Sequence, residues 1–343
     1  MKENFYLRPL FTLVNNIKDN SKPLYIEVLK PIKNHNFVVE DLIDVKEYLL
    51  KNNYSKSLAK YKNLNNRINK ILKEKNLNKF NKKKPLIMGI LNLTTDSFYD
   101  GGKYINQKNA LLHADKMLNE GADIIDVGAE SSRPGASPIN VNLEIERITP
   151  IIKELTKNKV KISCDTRNSL TMEKALDAGA SIINDISGLN YDKNTFSLIK
   201  KYNCTYIFTH SKGTPLNMQN NPIYKNVICD IHSFFKKGLK KLENMNISTK
   251  NIILDPGIGF GKKDLHNFSI LKNFSVFQDL GLPMLIGVSR KSFIQKFINS
   301  DKEQTLTSSV TLALNAYLKG CNILRVHDVK ETLDAINIYN KVS

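Results

Sequence analysis

Asp165, Asn184 and Asp255 each stand at the end of a short apolar run, in SCDTR, INDISG and LDPGIGFGK. A carboxylate, an amide and a second carboxylate suit a flat heterocycle that carries several N–H donors and a carbonyl. Lys291, in GVSRKSFI, supplies the complementary donor to a ring nitrogen or carbonyl oxygen. A buried carboxylate is costly unless paired, so ligand donors or this lysine are its natural partners. A ligand-free salt bridge between Asp255 and Lys291 is the competing reading. A second group has different chemistry: Asn92, Arg325 and His327 place two donors of actual or potential positive charge beside a neutral oxygen. That set suits a pyrophosphate with Mg²⁺, an ion that keeps most of its waters and takes few protein oxygens. Taken singly, an Asn or Asp after a strand often only caps a helix, and a lone histidine is more often structural.

Two polar loops flank these residues, NLTTDSFYDGG (92–102) and ESSRPGA (130–136). Their Gly, Pro, Ser and Asp content reads as lids, with Phe98 and Arg133 expected to touch a second substrate. In DPGIGFGK (255–262) three glycines follow a strand, but the spacing is not GxGxxG and no dinucleotide half-domain surrounds it. The glycines instead let the backbone approach a flat ligand, which brings Gly259 and Phe260 into the candidate set. No zinc-ligand spacing, Ser/His/Asp triad or Schiff-base lysine stands out.

Residues so far apart in the chain need a fold that gathers them. The runs LIMGIL (86–91), DIIDVG (123–128), VKISCD (160–165), SIINDI (181–186), CTYIFTH (204–210), NIILDP (251–256), MLIGVS (284–289) and NILRVH (322–327) alternate with helical patterns. Near-continuous apolar strands separated by helices indicate a parallel sheet buried on both faces, and eight such units predict an α/β fold, a closed (β/α)8 TIM barrel. Gly121, Gly179 and Gly320 follow the last turn of three of the helices, where a left-handed cap belongs. The strand ends carry Asn92, Glu130, Asp165, Asn184 with Asp185, His210, Asp255, Ser289 through Lys291, and Arg325 with His327. In a barrel these ends meet at one mouth, and helix capping alone does not account for eight of them.

Composition changes at Asn81–Pro85, dividing an N-terminal extension (1–84) from the barrel (85–343). Within the extension, VEDLIDVKEYLL (39–50) and SLAKYKNLNNRINKILKEKN (57–76) space apolar residues three and four apart and predict helices. Of the net charge of +18, the extension holds 19 Lys and Arg against 8 Asp and Glu. Its lysines alternate with asparagines, with little aromatic patterning for stacking bases, so a solvated surface is favoured over a nucleic-acid-binding protein. A salt-dependent RNA shift retained by residues 1–84 alone would reverse that choice. Four scattered cysteines point to reduced thiols and a cytoplasmic protein. No run approaches the roughly 20 apolar residues of a membrane span, and the start lacks a secretory pattern, while its basic character leaves organellar targeting open.

Residues 85–343 resemble dihydropteroate synthases throughout, through GILNLTTDSFYDGG, DVGAESSRPGA, SCDTR, INDISG, THSKGTP with NMQ, LDPGIGFGK, GVSRKSFI and RVHDV. The resemblance implies a barrel that joins 6-hydroxymethyl-7,8-dihydropterin pyrophosphate to 4-aminobenzoate, with Mg²⁺ as cofactor and a homodimer as the assembly. It assigns Asp165, Asn184, Asp255 and Lys291 to the pterin, and Asn92, Arg325 and His327 to pyrophosphate and metal, with Asn92 the metal ligand. Asp96 would stabilise a pterin cation or the metal shell, while Phe98, Ser132, Arg133, Pro134 and Ser292 would surround the aminobenzoate. Thr95, Ala129, Ser132, Thr209 and Ser211 depart from the usual family residues. A pterin-binding methyltransferase domain shares the carboxylate and amide set but needs neither SRKS nor the Arg325/His327 pair. FYLRP (5–9) resembles the start of extended bacterial versions. With no site motif before Pro85, removing residues 1–80 is expected to leave the chemistry intact.

Overall fold

The computed structural model describes residues 5–10, 23, 25–33, 35–46, 48, 56–72, 84–93, 103–131 and 135–342. The extension opens on an antiparallel sheet in the order β1 (Tyr6–Leu10), β2 (Tyr25–Pro31), β3 (Phe37–Asp44). This corrects the first half of the helix expected over 39–50, which lies in β3, while Val45, Lys46 and Tyr48 beyond it are helical. Val39, Leu42 and Ile43 have helical spacing, but pairing with β2 draws them out straight, burying Ile43 and leaving Val39 and Leu42 exposed. The β-branched and aromatic start Phe37-Val38-Val39 favours that outcome. The second expected helix is present at Leu64–Leu72, preceded by a 3-10 turn at Lys56–Lys60. Leu64, Ile68 and Ile71 face the sheet and close a small core with Phe5, Leu7, Ile26, Val28 and Tyr61.

Eight parallel strands follow: β4 (Leu86–Asn92), β5 (Ile124–Gly128), β6 (Ile162–Asp165), β7 (Ile182–Asp185), β8 (Thr205–Thr209), β9 (Ile252–Asp255), β10 (Leu285–Gly287) and β11 (Ile323–Val326). Each coincides with one of the eight predicted runs. β4 pairs with both β5 and β11, and the sheet closes between β9 and β10 at the Leu254–Met284 bridge. Helices alternate with the strands and pack on their outer faces. Gly121, Gly179 and Gly320 all take positive φ, and the next residue's N–H returns to the carbonyl five residues back, as in Ala122 to Met117 at 2.9 Å. These are the predicted helix stops.

The extension packs on the barrel beside the 3-10 segment Phe274–Leu280 and the helix Val227–Asn244. Leu29 joins the main core of the barrel, with Tyr6 and Phe37 packed against it. Arg67 forks onto Asp279, Arg8 donates to Asn273 at 3.2 Å, and the Val227 amide donates to His35 Nδ1 at 3.2 Å. Tyr6 meets the His232 ring edge-on at 5.0 Å.

Candidate active site

Alternation along the strands sorts the site residues. Leu86 and Met88, Ile124, Ile182, Ile207, Ile253, Leu285 and Ile323 turn inward and plug the barrel axis as one apolar layer. Two residues further along five of those strands, the inward position is polar: Asp126, Asn184, Thr209, Asp255 and Arg325. Side chains two apart share a face of a strand, so these groups stand together above the plug. The opposite parity, Ile125, Val127, Ile183, Tyr206, Phe208, Leu254, Ile286 and Leu324, packs against the helices. Register adds a rung: Asn92 pairs with Gly128, Gly128 with Asp165, and Asp165 with Asn184. Asn92 is half-buried at the upper end of β4.

Arg325 is the centre of this layer. Its Nε donates to Asp126 Oδ2 at 2.6 Å and its Nη2 to Asp165 Oδ2 at 2.7 Å. Asn184 Nδ2 donates to the same Asp126 oxygen at 3.0 Å, while the buried Asp126 Oδ1 has no hydrogen-bond partner among the described residues. Burial lifts the Asp165 carboxyl to about 7, with Arg325 opposing and Asp126 reinforcing the shift. Burial works against the Arg325 charge, but Asp126 and Asp165 more than offset it and raise its pKa. Asp255 is also pushed up by burial, against a bond from the Gly257 amide to its Oδ1 at 2.7 Å. Lys291 Nζ lies 4.2 Å from the centre of the Phe260 ring, and burial followed by the Arg325 charge lowers its pKa to about 8. Among the described residues no ion pair joins Asp255 to Lys291; the salt bridges of the site belong to Arg325.

Other polar strand ends have local partners. Glu130 is forked by Arg167 at 2.7 and 3.0 Å, with that guanidinium 4.3 Å from the centre of the Tyr191 ring. Asp185 has the outward parity and accepts from the Tyr206 hydroxyl at 2.5 Å and the Ser187 amide at 2.7 Å. His210 is buried, and burial together with the Lys262 charge keeps it neutral, far below its usual range. His327 Nδ1 lies 3.0 Å from Ser289 Oγ, which ties β11 to the loop after β10. Arg290 donates to Asp328, and Ser292 is exposed in the first turn of the helix Ser292–Ile298.

The structure thus gathers Asp165, Asn184, Asp255, Lys291 and Arg325 of the expected set. Gly259 and Phe260 stand beside Lys291; a β-carbon on Gly259 would lie 3.5 Å from Lys291 Cδ. Thr95, Asp96 and Phe98 in the first loop, and Ser132, Arg133 and Pro134 in the second, lie outside the described residues. Ala129 is buried, and the buried Thr209 hydroxyl, on a residue paired in register with Asp255, has no hydrogen-bond partner among the described residues. Sequence reasoning missed Asp126 and Lys262. Asp126 is legible after the fact, since Ile124, Asp126 and Gly128 share one strand face. Among the described residues no three His, Cys, Asp or Glu side chains cluster as a metal site.

Residues 88–327 match the family described as "Pterin binding enzyme". The Escherichia coli K12 dihydropteroate synthase is 38% identical over 255 residues, covering 74% of this chain and 90% of that protein. The Neisseria meningitidis serogroup C enzyme of the same name is 41% identical over 260 residues, covering 75% and 92%. Among solved structures, the Yersinia pestis dihydropteroate synthase with a sulfonamide drug superposes with a TM-score of 0.71 at 38% identity, over 76% of this chain and 94% of that one. The Xanthomonas albilineans enzyme in complex with 7,8-dihydropteroate gives a TM-score of 0.69 at 31% identity, over 76% and 94%.

Proposed function

Since the chain belongs to the dihydropteroate synthase family of pterin-binding enzymes, we propose that its inward polar layer holds the pterin and that Arg325 stands between pterin and pyrophosphate. The chain condenses 6-hydroxymethyl-7,8-dihydropterin pyrophosphate with 4-aminobenzoate, giving 7,8-dihydropteroate and pyrophosphate in folate biosynthesis. The observation that carries the site assignment is the fork of Arg325 onto Asp126 and Asp165 above the apolar plug.

A guanidinium has five N–H donors, and these two bonds use two of them. The others suit phosphate oxygens, so one side chain binds the leaving group while fixing the carboxylates that face the ring. Asp165, Asp126 and Asp255 accept pterin N–H bonds, the Asn184 amide helps to orient the ring, and Lys291 donates to a ring nitrogen or carbonyl. The Phe260 ring beneath Lys291 supplies an apolar wall. As the CH₂–O bond breaks, its electron pair leaves with pyrophosphate and the pterin gains positive charge, which the nearby carboxylates stabilise. His327, oriented by Ser289, adds a donor toward the leaving group. The neutral aromatic amine then forms the C–N bond and loses its proton to solvent or pyrophosphate, without a strong general base.

The donor set fits Mg²⁺ held mainly by pyrophosphate and water, with Asn92 as its protein ligand. Bound there, the ion would neutralise charge on the leaving group. Asp96 would serve the pterin cation or the metal shell, and Phe98, Ser132, Arg133, Pro134 and Ser292 the aminobenzoate. A homodimer in the cytoplasm completes the proposal. The four free cysteines suit a reducing compartment; among the described residues no helix is long and apolar enough to cross a membrane.

Formation of labelled dihydropteroate from the two substrates, with and without Mg²⁺, in the wild type and in Arg325→Ala, tests this reading. Mg²⁺-dependent product in the wild type and its loss in the variant are expected. Full turnover by Arg325→Ala would overturn the central role of the guanidinium.

A further inference from the structure

Lys262 has no counterpart in the chemistry above, yet it is one of the most enclosed charges of the barrel, 2% exposed. Its Nζ lies 2.8 Å from the Gly257 carbonyl oxygen, 3.0 Å from that of Phe260, 3.2 Å from that of His210, and 3.0 Å from His210 Nδ1. Among the described residues no carboxylate pairs with it within salt-bridge distance. Burial, against the pull of Asp255, lowers its pKa to about 7, and the four surrounding acceptors suit the protonated form, whose three protons they share with no donor left unused. Two of the carbonyls belong to the loop after β9 and the third closes β8. The ammonium therefore fastens two neighbouring strand-end loops together.

The acceptors point inward because of the backbone around them. Gly257 has φ 67°, and a β-carbon there would stand 2.0 Å from the His210 carbonyl oxygen. The two loops thus touch backbone to backbone, and their carbonyls need a donor that fits inside. Outer pins complete the arrangement: Gln219 Nε2 donates to the Gly259 oxygen at 2.7 Å, Tyr224 to the Gly261 oxygen at 2.8 Å, and the Gly259 amide to Asn267 Oδ1 at 2.9 Å. What the fastened loop presents is the Phe260 ring against Lys291, together with Asp255.

We propose that Lys262 is a positioning residue for pterin binding: its buried ammonium clips the loop after β9 to the end of β8 and so holds Phe260 and Gly259 against Lys291. A pterin then meets a ready-made wall. Without the clip, three carbonyls lose their donor and the loop must find another arrangement before the ring can bind. Lys262 acts through these groups and does not touch the reacting atoms. The inference rests on the assignment of Asp255 and Lys291 to the pterin.

Lys262→Met keeps the side-chain length and removes the charge. Its KM for the pterin pyrophosphate, and its Kd for 6-hydroxymethylpterin lacking pyrophosphate, should rise about 10- to 100-fold, the scale of one lost hydrogen bond from a charged group. The KM for aminobenzoate and kcat at saturating pterin should hold. Lys262→Gln, with two donors restored, should recover part of the loss. Lys291→Ala, assayed alongside, separates the two readings. If it leaves pterin affinity intact, the site assignment fails; if it abolishes affinity while Lys262→Met changes nothing, the clip alone fails. A smaller active fraction with unchanged KM would make Lys262 purely structural and overturn the proposal. Should neither variant fold, hydrogen exchange in the wild-type protein decides: residues 257–262 must exchange as slowly as the barrel strands without ligand, and exchange typical of a free loop would refute the clip.

Discussion

Arg67→Met tests whether the extension is an appendage or part of the barrel's stability. Asp279 is 4% exposed, and Arg67 holds it through Nε at 2.9 Å and through Nη2. His232 Nε2 lies 3.3 Å from the same carboxylate. Burial alone would raise the Asp279 pKa, but Arg67 first, with His232, brings it down to about 2 from 3.8. A shift of that size corresponds to about 2–3 kcal/mol at neutral pH. Removing one partner of a buried pair costs roughly 3–5 kcal/mol, and the 21% exposure of the Arg67 side chain argues for the lower end. Methionine retains part of the contact with Phe5, whose ring centre lies 4.0 Å from Arg67 Cζ. The urea transition of Arg67→Met at pH 7 should therefore report a loss of about 3 kcal/mol. The sign with pH is fixed: a depressed carboxyl contributes fully above its unfolded pKa of 3.8 and loses that contribution as pH falls through about 2. In the variant Asp279, still buried but without Arg67, takes up its proton at higher pH, so the gap to the wild type narrows as pH falls from that raised pKa towards about 2. Asp279→Asn in the Arg67→Met background should recover part of the loss. A gap below about 0.5 kcal/mol at pH 7 would mean the pair acts as a surface salt bridge and would refute the argument. The same reasoning qualifies removal of residues 1–80: turnover per folded molecule should persist, since the described site residues all lie in the barrel. The truncated barrel should nonetheless melt earlier, because Asp279 loses its cation and the surface beneath Tyr6, Leu29 and Phe37 is uncovered.

Asn92→Ala should lower kcat/KM by about 100-fold or more with little change in melting temperature, read at limiting Mg²⁺, because it removes an oxygen from the leaving-group side and leaves the Arg325 fork untouched. Asp165, raised to about 7, loses its acceptor character as it gains a proton, so kcat/KM for the pterin pyrophosphate should fall with decreasing pH below about 7. Asp165→Asn should lack that limb, and an unchanged limb would assign it to another group. Aminobenzoate should bind more tightly to enzyme with pterin, Mg²⁺ and pyrophosphate than to enzyme with pterin alone, because the sequence joins Asn92 and Asp96, proposed for the leaving-group side, to Phe98 in one short segment; equal affinities by calorimetry would show that the two subsites are independent.

The eight barrel strands were legible because each is buried on both faces and reads as a continuous apolar run, a signal with few alternatives at that length and number. Convergence of Asp165, Asn184, Asp255, Lys291 and Arg325 followed from strand ends meeting at one mouth. Asp126 was not read as a site residue because it lies inside the run DIIDVG, two positions before the strand ends, where it looks like part of the apolar segment. Lys262 stood next to Lys263 in a lysine-rich chain, and nothing in its sequence context distinguishes a buried ammonium from a solvated one. The start of the extension's first expected helix was misread for a tertiary reason: spacing of three and four in Val39, Leu42 and Ile43 suits a helix, and only pairing with β2 selects the strand. Asp185 and Glu130, equally plausible from sequence, are held by Tyr206 and Arg167.

The charges around the barrel axis explain why this layer suits a cation that exists only during reaction. Asp126, Asp165 and Asp255 stand with two cations, Arg325 and Lys291, while the Lys262 charge is wrapped in carbonyl oxygens. Burial raises Asp165 and Asp255 and lowers Lys291, so each of these ions is costlier here than in water, and a ligand that completes the pairing recovers part of that cost. On the proposed assignment, a neutral dihydropterin would complete it through its N–H donors toward the carboxylates and through a ring nitrogen or carbonyl toward Lys291. On the same assignment, the ring would take on positive charge among these carboxylates when the CH₂–O bond breaks, and the interaction would strengthen because the surroundings are already oriented. Arg325 would meet the opposite demand in that proposal, since negative charge grows on the pyrophosphate as the bond breaks. A lysine at position 325 would keep the charge but lose the planar fork that reaches Asp126 and Asp165 together, so the site requires arginine for its geometry as well as its charge.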